Sequence, residues 1–427
     1  MDNTVYWIWL SLACTPGTAT FPRLIEKFGN AKKIYEADVR NITRCIDSRS
    51  SDRAKLIDKS LDKATEILEF CTKKEIGLLT YADEKYPKAL KGIKSPPVIL
   101  YYRGKLPDFN KGFYVSVVGT RAISDYGRKN AFKISYDLAS VGATIVSGMA
   151  MGIDGISHAA ALEAGKTTVA VMGSGIDVCY PAQHLSLARS IVKQGCIITE
   201  FPPHTPPSKN NFPTRNRIIS GLSAITVVIE GKEKSGSRIT ASCAKEQGRD
   251  VYALPGNVGS QNSEITSLLL KNGAKSVTSA DDIVRDYQDR YPGVINPFKL
   301  RTTLTVDIMS TLAKYSVAAV APSDDIFPQP GKPRNNRKTN TSRNFTAEKA
   351  EPVLNESAVE TAFNSKTFEI YKNIPVLGEC PIESLVNSEN DLRDVMKCLL
   401  SLEMGGFVTM LPGDRVSRKK VKGNNGL

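Results

Sequence analysis

The sequence predicts an α/β fold, a doubly wound parallel sheet with a helical domain before it and a winged-helix domain after it. Three observations carry this. Between residues 114 and 254 short apolar runs alternate with stretches of helical period. Those runs are apolar throughout, the pattern of strands covered on both faces. Gly142, Gly165, Gly195 and Gly248 stand where the intervening helices should stop.

Residues 1–75 read as all-helical, in the manner of a SAM or helix-hairpin-helix domain. Leu24, Ile25 and Phe28 fall at helical spacing before Gly29, and Thr65, Ile67, Leu68 and Phe70 lie in another helix. The turn Thr15-Pro16-Gly17-Thr18 joins two apolar helices. Such a hairpin either holds a DNA phosphate on backbone N–H groups or is plain packing. The apolar run from Val5 to Ala13 before Cys14 has the outline of a lipoprotein signal. It lacks a basic flank and contains Trp7 and Trp9, so a buried first helix is expected.

Residues 76–112 form a Pro- and Tyr-rich connecting segment, with Val98-Ile99-Leu100-Tyr101-Tyr102 expected as an edge strand. Residues 113–290 make the Rossmann-like domain, with strands over 114–118, 143–146, 168–172, 196–199, 224–229 and 250–254. Residues 291–362 lose this rhythm. Within them, 329–346 carries Lys332, Arg334, Arg337, Lys338 and Arg343 with no acidic residue, a disordered basic linker. Residues 363–420 recover order: one helix through Phe368, Ile370 and Tyr371, one ending near Leu385, one through Leu392, Val395, Met396 and Leu399. A strand and turn over 405–414 then completes the outline of a winged helix. Residues 421–427 end the chain as a basic tail.

Net charge is +13, which calls for a polyanionic partner, nucleic acid or an anionic membrane surface, or serves solubility alone. No apolar run approaches the ~18 residues of a membrane span, so no membrane insertion is expected. Eight scattered cysteines without C-x-x-C imply reduced thiols in a cytoplasmic protein. Three histidines without H-E-x-x-H give no reason to expect a metal.

Ligands of open parallel sheets sit beyond the carboxyl ends of the strands. Here the first strand ends in Gly119-Thr120-Arg121. The second ends in Ser147-Gly148-Met149-Ala150-Met151-Gly152-Ile153-Asp154, before a helix carrying His158, and the third in Gly173-Ser174-Gly175-Ile176-Asp177. Three glycine loops at one edge aim N–H groups at an anion, or are tight packing turns. Gly165-Lys166-Thr167-Thr168 imitates the end of a Walker A loop, but Ala160 stands where its first glycine belongs and a strand follows, so no ATP site is expected. Arg121 likewise breaks the dinucleotide fingerprint, and no cofactor is expected.

The most distinctive segment, from Lys209 to Ser220, gathers Lys209, Arg215 and Arg217 around Phe212. Phosphates want the cations and an unstacked base wants the ring. In the competing reading, Arg215 or Arg217 pairs with an internal carboxylate such as Glu200 or Glu230, and Phe212 is core.

Taken together, Val117-Val118-Gly119-Thr120-Arg121, the 147–154 loop, Gly173-Ser174-Gly175 with Tyr180-Pro181, Phe212-Pro213-Thr214-Arg215-Asn216-Arg217 and Leu254-Pro255-Gly256-Asn257 resemble the bacterial DNA-processing protein A family (DprA, also called Smf). The resemblance runs from Tyr81 to Tyr287. It implies an extended Rossmann fold that binds single-stranded DNA as a homodimer, protects incoming DNA and loads RecA recombinase in natural transformation. Carried over by motif, Arg121, Lys209 and Phe212 are the principal DNA contacts, with Gly148, Gly173, Gly175, Arg215 and Arg217 lining the same pocket. Gly119, Thr120, Ser147, Gly152 and Asn216 complete the expected set. One departure is Arg238, where the family commonly has an apolar residue; it either disturbs packing or adds a cation to the pocket.

Two other classes compete. The fold is similar to that of the cytokinin-activating phosphoribohydrolases, nucleotide hydrolases whose P-G-G-x-G-T-x-x-E loop supplies an acid–base glutamate. The corresponding 234–243 loop has no carboxylate before Glu246. Asp154 and His158, one turn apart, could supply a pair, or could cap and pack their helix. No catalytic residue is expected. A duplex-DNA regulator would read DNA through the helix around Leu392, but Asp391, Asp394 and Glu403 beside Arg393 and Lys397 would repel phosphates, so a protein-interaction or dimerisation role is expected. Ile265 and Leu268-Leu269-Leu270 could form a dimer surface or the inner face of a helix; the inner face is expected.

Overall fold

The computed structural model describes residues 3–301, 306–315, 365–374, 380–386, 391–404, 408–411 and 415–418. The chain divides into two compact units, Met1–Arg334 and Asn335–Leu427. Six helices open the first: α1 (Thr4–Ala13), α2 (Thr20–Phe28), α3 (Ala31–Glu36), α4 (Val39–Thr43), α5 (Asp52–Ile57) and α6 (Asp62–Lys73). Then come β1 (Gly77–Thr80), α7 (Lys88–Lys91) and β2 (Ile99–Gly104). The alternating run follows: β3 (Tyr114–Val118), α8 (Asp125–Ser140), β4 (Thr144–Ser147), α9 (Ile153–Glu163), β5 (Thr168–Val171), α10 (Leu185–Gln194) and β6 (Cys196–Thr199). It continues through α11 (Asn211–Leu222), β7 (Ile225–Val228), α12 (Gly236–Glu246), β8 (Asp250–Ala253), α13 (Glu264–Lys271), β9 (Lys275–Ser276), α14 (Ala280–Tyr287) and α15 (Ile308–Tyr315). α8, α9, α10 and α12 each end within two residues of the glycine expected to stop them.

Among the described residues the nine strands of this unit form one sheet, ordered β1-β2-β6-β5-β4-β3-β7-β8-β9. Strands β3 to β9 pair in parallel, whereas β2 is antiparallel to both of its neighbours, β6 and β1. The order reverses between β3 and β7, and such a reversal opens a crevice at the carboxyl ends of the strands. Alternate residues of β3 feed opposite cores: Val115 and Val117 pack with Phe132 and Leu138 of α8, while Tyr114 and Val118 pack with Ile218 and Leu222 of α11. Both faces are covered, which explains why the strand sequences are apolar throughout.

Three expected boundaries change. The 98–102 run is not an edge strand: β2 lies between β1 and β6, with Tyr101 opposite both Leu78 and Thr199. The edge belongs to β1, whose Gly77 leaves room for the Tyr102 ring to lie across it. The first helices have no separate core. Trp7, Leu10, Phe21 and Leu24 share one apolar cluster with Tyr101 of β2, Ala170 of β5, Leu187 and Ile191 of α10 and Ile197 of β6. The expected linker also starts too early at 291, because Ile295 and Tyr315 are buried against the same unit and Lys314 reaches Glu163 at 3.1 Å. The basic 329–346 stretch and residues 419–427 lie outside the described residues.

The first helix is buried as expected, with Trp7 6% and Trp9 4% exposed. All eight cysteines are free thiols. Among the described residues no helix is long and apolar enough to cross a membrane. On α13, Ile265 is buried and Leu268 and Leu269 pack partly against the core, whereas Leu270 is half-buried and joins no core cluster, so the expected inner face covers only part of the run.

The second unit holds α16 (Ser365–Asn373), β10 (Cys380–Pro381), a single-turn helix (Ile382–Leu385), α17 (Leu392–Met404), β11 (Val408–Leu411) and β12 (Arg415–Arg418). Its strands form an antiparallel sheet ordered β10-β12-β11 around Phe368, Ile370, Val395, Leu399 and Val416.

Candidate nucleic-acid interface

The loops after β3 and β4 meet at the carboxyl edge of the sheet, on the β4 side of the switch point. Ile153 N–H donates to the Thr120 carbonyl at 3.2 Å. The contact depends on Gly152, whose φ is +82° and where a Cβ would overlap the Thr120 oxygen and lie 2.9 Å from Arg121 Cα. The 148–152 loop is then fixed from below. Asp154 Oδ2 accepts from the N–H groups of Gly148 (3.1 Å) and Ala150 (3.3 Å), and His184 Nδ1–H donates to the Met149 carbonyl at 2.9 Å. Arg215 Nη1 donates to the carbonyls of Gly148 (2.6 Å) and Val171. Met149 can therefore hold a left-handed backbone, φ +61°, with its side chain fully buried.

The third loop brings the ring. Phe212, in the first turn of α11, lies against Gly173, where a Cβ would stand 2.8 Å from ring carbon Cδ1. The Arg121 guanidinium sits over the Phe212 ring at 5.5 Å from its centroid, inside cation–π range. Arg121 and Lys209 are exposed and Phe212 is half-buried. The structure thus brings Arg121 and Phe212 together and leaves Lys209 at the surface, two residues before α11.

Several expected contacts lie elsewhere. Arg217, 8% exposed, is held by Glu200 through Nη1–Oε1 (2.6 Å) and Nη2–Oε2 (2.7 Å), with Nε donating to the Ser95 carbonyl at 2.9 Å. Arg215, 3% exposed, faces carbonyls beneath the loop, and burial brings its pKa down to about 10 despite the attraction of Asp154. Asn216 accepts from Arg215 Nε at 3.2 Å and donates to the Gly236 carbonyl at 3.2 Å. The Ser147 hydroxyl is buried and donates to the Val117 carbonyl at 2.6 Å. The N–H groups of Gly148 and Gly175 are bonded to Asp154 and to the Thr205 carbonyl, so neither points at a ligand. Gly119 packs on Ile153 behind the loop. Arg217, Asn216, Ser147, Gly175 and Gly119 build the site from within, whereas Gly148 lines the pocket with Arg121 and Phe212, and the buried Arg215 guanidinium lies 6.0 Å from the Phe212 centroid. For Arg215, Asn216 and Ser147 the reason is shared: a sheet edge crowded by loops has many buried carbonyls, and the nearest polar side chains satisfy them.

Asp154 and His158 serve different partners. Burial raises the Asp154 carboxyl above the usual carboxylate range, against the pull of Arg215 and its N–H donors. His158 Nδ1 lies 2.7 Å from the Thr168 hydroxyl, which itself donates to the Ile145 carbonyl, so Nδ1 carries the proton in this pair. Burial first, then the charges of His184 and Arg215, lower the His158 pKa to about 3. Unfolding returns it toward 6.5, so the unfolded chain takes up a proton that the folded one refuses. Stability from this residue is therefore complete above 6.5 and is lost as pH falls toward 3, by up to ~1.4 kcal/mol per pH unit. Asp154 acts oppositely, its stability being lost as pH rises through its raised value. Urea unfolding between pH 7 and about 4 should show the histidine slope, and His158→Leu should flatten it.

Arg238 is exposed and lies 3.5 Å from Glu233, a surface pair that adds no cation to the pocket. Glu230 accepts from Ser124 N–H at 3.1 Å and from its hydroxyl, fixing the start of α8. Two residues of the rim escaped the sequence reading. Tyr180 and Met151 line the same pocket as Arg121 and Phe212. Tyr180 stands in one of the motifs that carry the family resemblance, and an aromatic residue following a glycine loop is the signal the sequence offers.

A doubly wound, mostly parallel sheet with Arg121, Tyr180 and Phe212 gathered in one notch beyond its carboxyl edge places the chain among α/β proteins of the Rossmann-like class. The family model of DNA recombination-mediator protein A matches residues 77–288. DNA processing protein DprA of Bacillus subtilis is 38% identical over 242 residues, 57% of this chain and 82% of that protein. Protein Smf of Escherichia coli is 43% identical over 212 residues, 49% of this chain and 56% of that protein. The X-ray structure of DNA processing protein A from Streptococcus pneumoniae superposes with a TM-score of 0.58 at 33% identity, over 67% of this chain and 98% of that one. The chain belongs to the DNA-processing protein A family, DprA or Smf.

Proposed function

We propose that this chain binds single-stranded DNA at the notch over Phe212, protects incoming DNA and loads RecA onto it, acting as a cytoplasmic homodimer. The observation that carries the reading is the Arg121 guanidinium poised over the Phe212 ring at the surface. A base lying on that ring places its phosphate within reach of Arg121. Lys209 then meets a neighbouring phosphate at the start of α11, where the helix dipole also favours negative charge. Stacking accepts every base, so sequence preference is slight. The second unit takes the winged-helix role of a protein-interaction module, and the basic segment before it adds charge attraction for the strand.

Arg121→Ala and Lys209→Ala should each weaken binding to oligo-dT about tenfold or more, with a shallower salt dependence. Fluorescence anisotropy at several salt concentrations measures both, and a duplex of equal length should bind more weakly. Wild-type affinity in both variants would defeat the reading. Assembly of RecA on the bound strand, slowed in Arg121→Ala, tests the loading step.

A further inference from the structure

The notch has a second apolar wall for which the reading above provides no task. Tyr180 is 41% and Met151 43% exposed, although both line the pocket that holds Phe212 and Arg121. The Tyr180 and Phe212 rings lie 5.5 Å apart, centroid to centroid, at 36°. A base sandwiched between them would need roughly twice the ~3.5–4 Å contact distance. The two rings therefore make one bent shelf and cannot clamp a single base. The shelf is already set. The Ser174 hydroxyl donates to the Val178 carbonyl at 2.8 Å, Val178 N–H to the Gly175 carbonyl at 3.0 Å, and His184 N–H to the Pro181 carbonyl at 3.0 Å. A preformed shelf loses little conformational freedom when a ligand arrives.

We infer that Tyr180 and Met151 form a second nucleobase subsite, which takes the base adjacent to the one on Phe212. The inference rests on the single-strand reading of the notch. A strand whose phosphate meets Arg121 continues along the same pocket, so its next base arrives at the Tyr180 ring, with the polarisable Met151 thioether beside it. The unit recognised is thus a two-base step with both bases unstacked from any partner strand. Paired bases present only their edges to a groove and cannot lie flat on either ring. This gives the notch a preference for single strands that does not depend on charge.

A thermodynamic cycle between the protein and the strand tests the subsite. The two probes are oligo-dT and an oligonucleotide of equal length in which every second nucleotide is abasic, so that no two neighbouring bases are present. Wild type should bind the alternating strand about fivefold or more weaker than oligo-dT. Tyr180→Ala should bind oligo-dT weaker by about the same factor and lose little more on the alternating strand, while Tyr180→Phe keeps the wild-type pattern. Two results would overturn the subsite: undiminished oligo-dT binding by Tyr180→Ala, or an equal loss on both strands, which is the mark of a side chain that merely supports Phe212. If wild type fails to bind oligo-dT, the notch reading itself falls and the subsite falls with it.

Discussion

Arg217→Ala is expected to destabilise the first unit by about 3–5 kcal/mol, the usual effect of removing one member of a buried ion pair. Glu200 would keep its charge at 7% exposure with neither Nη1 nor Nη2 to meet it, and the Ser95 carbonyl would lose its donor. DNA binding would fall too, but only because the protein unfolds. The double variant Glu200→Gln/Arg217→Met separates the two effects. It removes both charges and keeps the volume, so most of the stability should return, and with it oligo-dT affinity. Urea unfolding and anisotropy read the two quantities. An Arg217→Ala protein as stable as wild type, yet unable to bind DNA, would return Arg217 to the interface.

Gly152→Ala should do the reverse, removing binding while largely sparing the fold. The added Cβ cannot coexist with the Thr120 carbonyl, and an L residue at φ +82°, ψ −129° is strained by ~1–3 kcal/mol. The 119–123 and 148–152 loops must then separate, carrying Arg121 away from Phe212. We expect more than about tenfold loss of oligo-dT affinity, with a melting transition that remains cooperative. Wild-type affinity in this variant would show that the two loops act independently.

The parallel strands were legible because burial on both faces writes itself into sequence as uninterrupted apolar runs, as at Tyr114–Val118. β1 was not, because four residues beginning with Gly77 carry no such signature and their pairing with β2 is non-local. Within the site, Arg121 and Phe212 could be named from residue type. The burial of Arg215 could not, because its acceptors are the backbone carbonyls of Gly148 and Val171, which every residue possesses. Glu200 was a candidate partner for Arg217, yet spacing alone could not say which of the two readings the guanidinium would follow. The shared core beneath the first helices was hidden for a similar reason: amphipathic helices declare that they have an inner face, not what that face covers.

That shared core has a spectroscopic consequence. Both tryptophans of the chain, Trp7 and Trp9, lie in α1, inside the cluster that also contains Ala170 and Ile197 of the sheet. Intrinsic emission at tryptophan wavelengths is thus a reporter sealed within the joint between helices and sheet. The groove around Phe212 and Tyr180 contributes only phenylalanine and tyrosine signals. A dye-free melt followed at tryptophan wavelengths would watch the joint open, and an oligonucleotide filling the groove should leave that emission unchanged.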